Sequence, residues 1–300
     1  MEKRKLQLVG GSSYMVSLPK DWVRKNNLKQ GDELILIECD NSLKIIPKVN
    51  DGLSVHIRLP KMDFEFLKRI FYSLYIQGID EIVVERPDES LFKNIGEIIE
   101  DIVGMEVFDA DTDKIILKCI TTSFDVTDAL KRLCQIIFAM FDVIENNLEN
   151  GGKINEIINL EKDADKFYIL ALRMIYKRLI NSYNLSDLVM MVESRAIAKM
   201  LEEIADSLYD ISTGMGICSE FVPVFQSLKR LFKIAIDVYF SRDSLMSKNL
   251  IEMANKLEEN ILTLKDKSYC EIGSLLEICR YIKSIGEMSF NSAVCKEFVR

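Results

Sequence analysis

Carboxylates recur at helical spacing in two places along this 300-residue chain. In "KMLEEIADSLYDIS", Glu202, Asp206 and Asp210 stand at i, i+4 and i+8, so a helix sets all three on one stripe. On a bare helix each such pair of like charges costs roughly a few tenths of a kcal/mol, and a bound cation reverses that sign. "NLEKDADKFY" offers Glu161 and Asp165 at the same spacing one helix earlier. Antiparallel packing would bring the two stripes together as an oxygen-rich site for a divalent or iron-type metal ion. The same residues equally describe a solvated helix face, with Glu203 paired to Lys199 four positions before it.

A second constellation is cationic. Lys3, Arg4 and Lys5 precede the first apolar stretch, and Lys20, Arg24 and Lys25 follow Pro19 on one short helical turn. Such a cluster can neutralise several phosphates, with affinity that falls steeply in salt. Contacts of this kind position a protein on DNA without reading sequence. The charge asymmetry is consistent with that: the net charge is −8, yet residues 1–50 hold nine Lys/Arg against six Asp/Glu. Only the head of this acidic chain suits a polyanion. Charge alone also fits the solvated face of a small dimer.

Other chemistries lack their residues. The single histidine, His56, falls in a strand run and reads as structural. It cannot supply the Glu-x-x-His pairs of di-iron bundles or a nucleophilic Ser/His or Cys/His arrangement. No phosphate-cradling glycine loop is present, so no organic cofactor and no enzymatic activity are expected. The seven cysteines are scattered without C-x-x-C spacing, which reads as free thiols in a reducing cytoplasm. The start is charged rather than signal-like, and no apolar run approaches the ~20 residues of a membrane span. No membrane insertion is expected.

The elements that must position these residues follow from periodicity. Residues 5–48 alternate with period two in four short runs around one helical turn, which is too small for a comfortable core of its own. Residues 53–122 read strand–helix–strand–helix–strand–strand, a small α/β layer that would act as a spacer. From Phe124 onward the spacing is helical, broken into six long helices with short loops. The expected fold is therefore multidomain: a β-rich domain at 1–50, an α/β connector at 53–122 and an all-α part at 123–300. The all-α part reads as tandem three-helix bundles at about 123–214 and 219–300. An offset of 81 aligns the third and sixth helices, setting Ile197 on Ile278, Leu201 on Ile282, Asp206 on Glu287 and Tyr209 on Phe290.

Two resemblances attach to these segments. The Gly–Ser strand, "VSLPKDW", the basic turn, "LKQGDE" and a last hairpin ending in Pro47 resemble the AbrB/SpoVT transition-state-regulator family. That resemblance implies a swapped-hairpin homodimer and DNA contact through Lys3, Arg4, Lys5, Lys20, Arg24 and Lys25. This chain has Gly10, Gly11, Ser12 and Ser13 where DNA-binding members often carry an arginine in the first hairpin turn. Residues 124–297 resemble the PhoU phosphate-signalling family, whose third and sixth helices carry an E-x-x-x-D signature. The signature places its Glu on Glu202 and its Asp on Asp206. In the sixth helix Lys283 and Glu287 stand at those positions, and Asn255 and Glu259 are the fifth-helix counterparts of Glu161 and Asp165. Lys283 would repel a cation and pair with Glu287, so a metal would favour the first bundle. Together the resemblances imply a phosphate-responsive, DNA-binding transcriptional regulator that acts as a dimer with a phosphate ABC transporter or signalling partner. The alternative is an adaptor that dimerises through its head, does not bind DNA and modulates the transporter by protein contact.

Overall fold

A computed structural model describes residues 3–39, 42–47, 52–120, 124–150, 154–181, 185–214, 221–263 and 271–298. The chain divides into a first unit, Met1–Asp51 with Tyr183–Leu185, and a second made of Gly52–Ser182 and Ser186–Arg300. In the first unit β1 (Gln7–Val9) and β2 (Ser13–Met15) form an antiparallel hairpin, then come α1 (Lys20–Lys25) and the hairpin of β3 (Leu34–Cys39) with β4 (Ser42–Pro47). The turn of the first hairpin needs its glycines, because Gly10 and Gly11 both have positive φ, 65° and 77°. None of the unit's described residues is buried.

The second unit opens with the four-stranded sheet expected from the strand–helix alternation. β5 (Leu53–Ile57) runs parallel to β6 (Ile79–Glu85), which pairs antiparallel with β8 (Lys114–Cys119), and β7 (Met105–Ala110) closes the edge. The two connecting helices, α2 (Phe64–Ile76) and α3 (Glu89–Ile99), start on Asp63 and Asp88. Each aspartate accepts from the amide three residues on, at 2.8 Å, which satisfies one of the free donors of the first turn. Ile82, Val84, Ile115 and Leu117 of the sheet and Leu67, Phe71, Ile95 and Ile98 of the helices are buried together. The other face of the sheet is solvated. His56 lies there with 65% of its side chain exposed, 3.9 Å from Glu85.

Among the described residues six helices complete the unit: α4 (Val126–Asn150), α5 (Ile154–Asn181), α6 (Leu185–Thr213), α7 (Phe221–Ser241), α8 (Ser244–Thr263) and α9 (Glu271–Phe298). They match the sequence expectation in number and order. α4 meets α7 through Phe138, Phe141, Phe225 and Phe232, with ring centroids 4.8 to 5.6 Å apart. Lys229 of α7 pairs with Asp142 at 2.6 Å and also with Glu145 of α4. α6 meets α9 where Glu193 accepts from Ser292 and Ser207 reaches Glu277. In both pairs early residues of one helix meet late residues of the other. Equivalent helices of the two bundles therefore face each other antiparallel, as a two-fold relation requires. The duplication is visible in burial too: residues 197–210 and 278–291 share one pattern except at Ser207, buried, and Met288, half-buried. Where the first copy has Ala205 the second has Gly286. A Cβ there would lie 3.1 Å from a Leu250 side-chain carbon and 3.2 Å from one of Ile251 on α8, so an alanine would press both side chains aside by a few tenths of an ångström.

The sheet layer is bolted to the bundle rather than strung beside it. Arg173, fully buried in the middle of α5, donates to the carbonyls of Tyr75 (2.7 Å) and Ile79 (2.8 Å) and to the Asp80 carboxylate (2.5 Å). Its guanidinium lies 4.6 Å from the centroid of the Tyr75 ring, and the Tyr75 hydroxyl donates to Val103 at 2.8 Å. One cation thus satisfies a carbonyl in the last turn of α2, where positive charge is favoured, and another at the start of β6. Asp80 also accepts from Lys177 at 2.6 Å and from the Leu53 amide at 3.2 Å. Removing one partner of a buried pair leaves the other uncompensated. Arg173→Met is expected to lower unfolding free energy by about 3 kcal/mol, whereas Lys177→Met, at a more exposed partner, should cost about 1 kcal/mol or less. Urea midpoints for the two variants test that ordering.

Candidate functional site

The acidic stripes meet as their spacing suggested. α5 and α6 run antiparallel: Arg178 near the end of α5 pairs with Asp187 near the start of α6 at 3.0 Å. Lys199 of α6 lies 5.9 Å from the centroid of the Tyr168 ring on α5. On α6 the buried stripe of Leu201, Ile204, Ala205 and Leu208 faces inward, which leaves Glu202, Glu203 and Asp206 on its flank. On α5 Ala164 is buried, with Glu161 and Asp165 beside it.

Two carboxylate groups result. Glu161, Asp165 and Asp206 each offer an oxygen, all within 4.8 Å of one another, and so do Glu202, Glu203 and Asp206. Asp206 belongs to both. Asp210, expected on the same stripe, is exposed and lies outside both groups. One further turn carries it about 6 Å along the axis. Glu203, which the spacing assigned to Lys199, joins the second group.

Crowding shows in the protonation of these groups. Asp165 is pushed up to about 6 by desolvation, then by the negative charges of Glu161 and Glu202, with Lys68 opposing. Asp206 is pushed up to about 6 by desolvation and by Glu202, Asp165 and Glu203, with Lys199 opposing. Glu161 is raised as well, first by desolvation and then by Asp206. The two groups differ in their own cation. Lys199 donates to Glu203 at 2.7 Å and to Glu202, so the second group already holds an ammonium. Burial works against the charge on Lys199, and its bonds to Glu202 and Glu203 outweigh that and hold it above the ordinary lysine range. The first group has no such tethered partner but feels the sheet layer. Lys68 of α2, bonded to Asp101 at 3.1 Å, lowers the cost of charge on Glu161 and Asp165.

The second bundle carries no comparable acidic group among the described residues. Lys283 approaches Glu258 of α8 at 4.0 Å rather than pairing with Glu287, and Arg280 binds the same carboxylate at 2.8 Å. Glu287 is exposed. An ion pair links α8 to α9, whereas at the acidic site carboxylates of α5 and α6 crowd against one another. Adjacent Glu202 and Glu203 signal that a second oxygen group is within reach. Lys68 gives no sequence signal, since its place depends on how α2 packs.

Six basic residues of the first unit are exposed: Lys3, Arg4 and Lys5 ahead of β1, and Lys20, Arg24 and Lys25 on α1. Arg24 lies 4.0 Å from Asp21, with both side chains largely in solvent. Of the cysteines, Cys134 and Cys279 are buried free thiols and Cys295 is exposed, while Cys218 and Cys270 lie outside the described residues. Burial pushes the Cys134 thiol up to about 12.

Known proteins resemble these two regions separately. Residues 7–52 match the family model described as antidote-toxin recognition MazE, bacterial antitoxin. Residues 130–215 match the PhoU domain model, a span that runs from α4 to just past the end of α6. Among solved structures the chain resembles the crystal structure of PhoU from Pseudomonas aeruginosa, at 12% identity and a TM-score of 0.44, over 56% of this chain and 91% of that one. No curated protein matches in sequence.

A carboxylate whose folded pKa lies above its unfolded value favours folding at low pH and loses that contribution as pH rises through the folded value. In chelator-treated protein Asp206→Asn is therefore expected to raise stability at pH 7.5. The gain, on the order of 1 kcal/mol once screening of an exposed group is allowed for, should shrink below about pH 6 and vanish below the unfolded aspartate value near 4. Thermal melts of both proteins across that range test the sign.

Proposed function

We propose that this chain is a dimeric, phosphate-linked regulator whose head binds DNA and whose first helical bundle takes up a metal ion. The single observation that carries the dimer is the state of the first unit. Among the described residues of its two hairpins none is fully buried, and Leu6, Leu8, Tyr14, Leu36 and Leu43 are each more than half exposed. Two-stranded hairpins are marginal alone in water, and burying one such side chain contributes about 1.5–3 kcal/mol. A second copy supplies the missing face, in keeping with the swapped hairpins that the family resemblance implies. The exposed cations of both copies then form one basic surface suited to phosphate backbones.

The phosphate link rests on the PhoU domain match across the first bundle. The donor set there fits the metal that this resemblance implies: oxygen ligands only, crowded on two helices, with like charges that a cation would neutralise. Glu161, Asp165 and Asp206 would hold it, and Glu202 and Glu203 would join only by giving up Lys199. When bound, the ion supplies a cross-link between α5 and α6. A phosphate transporter or signalling protein as partner belongs to the same proposal.

The reading is tested on the full chain. Promoter DNA should bind with steep salt dependence, and Lys20→Ala/Arg24→Ala/Lys25→Ala should flatten the slope of log K against log salt by about one for each phosphate no longer neutralised. Dimers that bind DNA no better than this variant would favour the adaptor that works by protein contact alone. Elemental analysis of protein purified without chelator should find metal that disappears in Asp206→Ala and is retained in Asp210→Ala. Lys199→Ala should raise the amount bound, since the tethered ammonium no longer competes.

A further inference from the structure

The sheet layer contains a pocket that neither the head nor the acidic bundle explains. β5 and β6 are parallel neighbours, so the loop after β5 (residues 58–63) and the loop after β6 (residues 86–88) emerge side by side at their carboxyl ends. Ligands of α/β sheets gather at that edge. Between these loops and the first turns of α3 lies a cavity of about 90 Å³ with Leu67 as its buried floor. That is several times the ~10–15 Å³ a single water needs.

Five polar side chains line it: Lys61, Arg86, Asp88, Ser90 and Asn94. Asp88 is the one acid, and its carboxylate is occupied by the Leu91 amide at 2.8 Å. The other four are donors. None of the four has a side-chain hydrogen bond or ion pair among the described residues. The pocket thus offers two positive charges, a hydroxyl and an amide against a single carboxylate, one of whose oxygens already accepts from the Leu91 amide. Three other cations of the sheet layer pair with carboxylates, Lys68 with Asp101, Lys114 with Asp109 and Lys118 with Glu81.

The backbone at Arg86 adds a second argument. Its φ is +48°, a left-handed conformation that L side chains adopt reluctantly and glycine adopts freely. The position is held there by the Arg86 amide, which donates to the Asp113 carbonyl at 2.7 Å. A glycine would fit the turn better, yet the chain places an arginine in the pocket lining.

From the four unanswered donors around this cavity we infer that it binds a tetrahedral oxyanion of the phosphate class, free or as a small monoester. Arginine and lysine together supply the charge-assisted bonds that phosphate oxygens accept. Ser90 and Asn94, one turn apart on α3, supply neutral donors from the adjoining wall. This site is separate from the metal-binding carboxylates, and an oxyanion would bind it whether or not the head contacts DNA.

The test is isothermal titration of the full chain, pretreated with chelator so that no metal-bound anion contributes, in low chloride. Orthophosphate, glycerol 2-phosphate and acetate are titrated in turn. Saturable binding of orthophosphate or of the ester is expected, and the tighter of the two identifies the source. Arg86→Gly should weaken it about ten- to hundredfold, the effect of removing one charge-assisted hydrogen bond, while leaving Tm unchanged or higher because the backbone strain is relieved. Lys61→Ala should weaken it in the same direction. No binding of either phosphate compound, acetate binding as tight as phosphate, or unaltered affinity in Arg86→Gly overturns the assignment.

Discussion

One buried guanidinium holds the larger unit together. Arg173 reaches from the middle of α5 to two carbonyls and one carboxylate of the sheet layer, and it stacks on Tyr75 on the way. A charge so placed is tolerated only because its bonds are charge-assisted and short. Its Nε is the exception, buried with no partner. The geometry leaves little freedom: Gly78, with φ +85°, lets the chain turn between α2 and β6, and a Cβ there would sit 3.0 Å from Lys177. With α2 fixed on α5, Lys68 comes to rest beside the carboxylates of the first bundle. The electrostatics of the acidic site therefore depend on an element from another layer.

The duplicated bundles show how one scaffold carries two solutions. Both copies bury nearly the same positions over residues 197–210 and 278–291, so the apolar framework is shared there. The polar seams differ. Between α5 and α6 like charges crowd together, with Asp165 and Asp206 both shifted toward neutral pH. Between α8 and α9, Glu258 meets Arg280 and Lys283, and the seam is internally neutralised. A seam of the first kind favours an added cation; one of the second kind has supplied its own. Lys199 places the Glu202–Glu203 pair between these extremes.

Much of the architecture was legible because periodicity depends on local geometry. Period-two runs marked the strands, and helical spacing marked α2 to α9 in order. Each carboxylate at i and i+4 fell on the stripe it was assigned to. Asp210 shows the limit, since sharing a stripe does not mean sharing a site when one turn shifts a side chain by about 6 Å. Lys283 shows another: its partner is on a neighbouring helix, which spacing along α9 alone does not reveal. Arg173 left a faint signal, a lone cation inside "YILALRMIY", that only the packing of α2 explains.

The sequence by itself determined the elements, the duplicated helices, the basic head and the two acidic stripes, because each follows from spacing along one chain segment. Tertiary structure alone decided which charges meet. Asp80 with Arg173, Glu258 with Arg280 and Lys68 beside Asp165 are partners from distant segments, brought together by apolar packing that is indifferent to their charge. The pocket beside Arg86 belongs to the same class: its donors come from two loops and a helix, and only the parallel pairing of β5 and β6 sets them around one cavity.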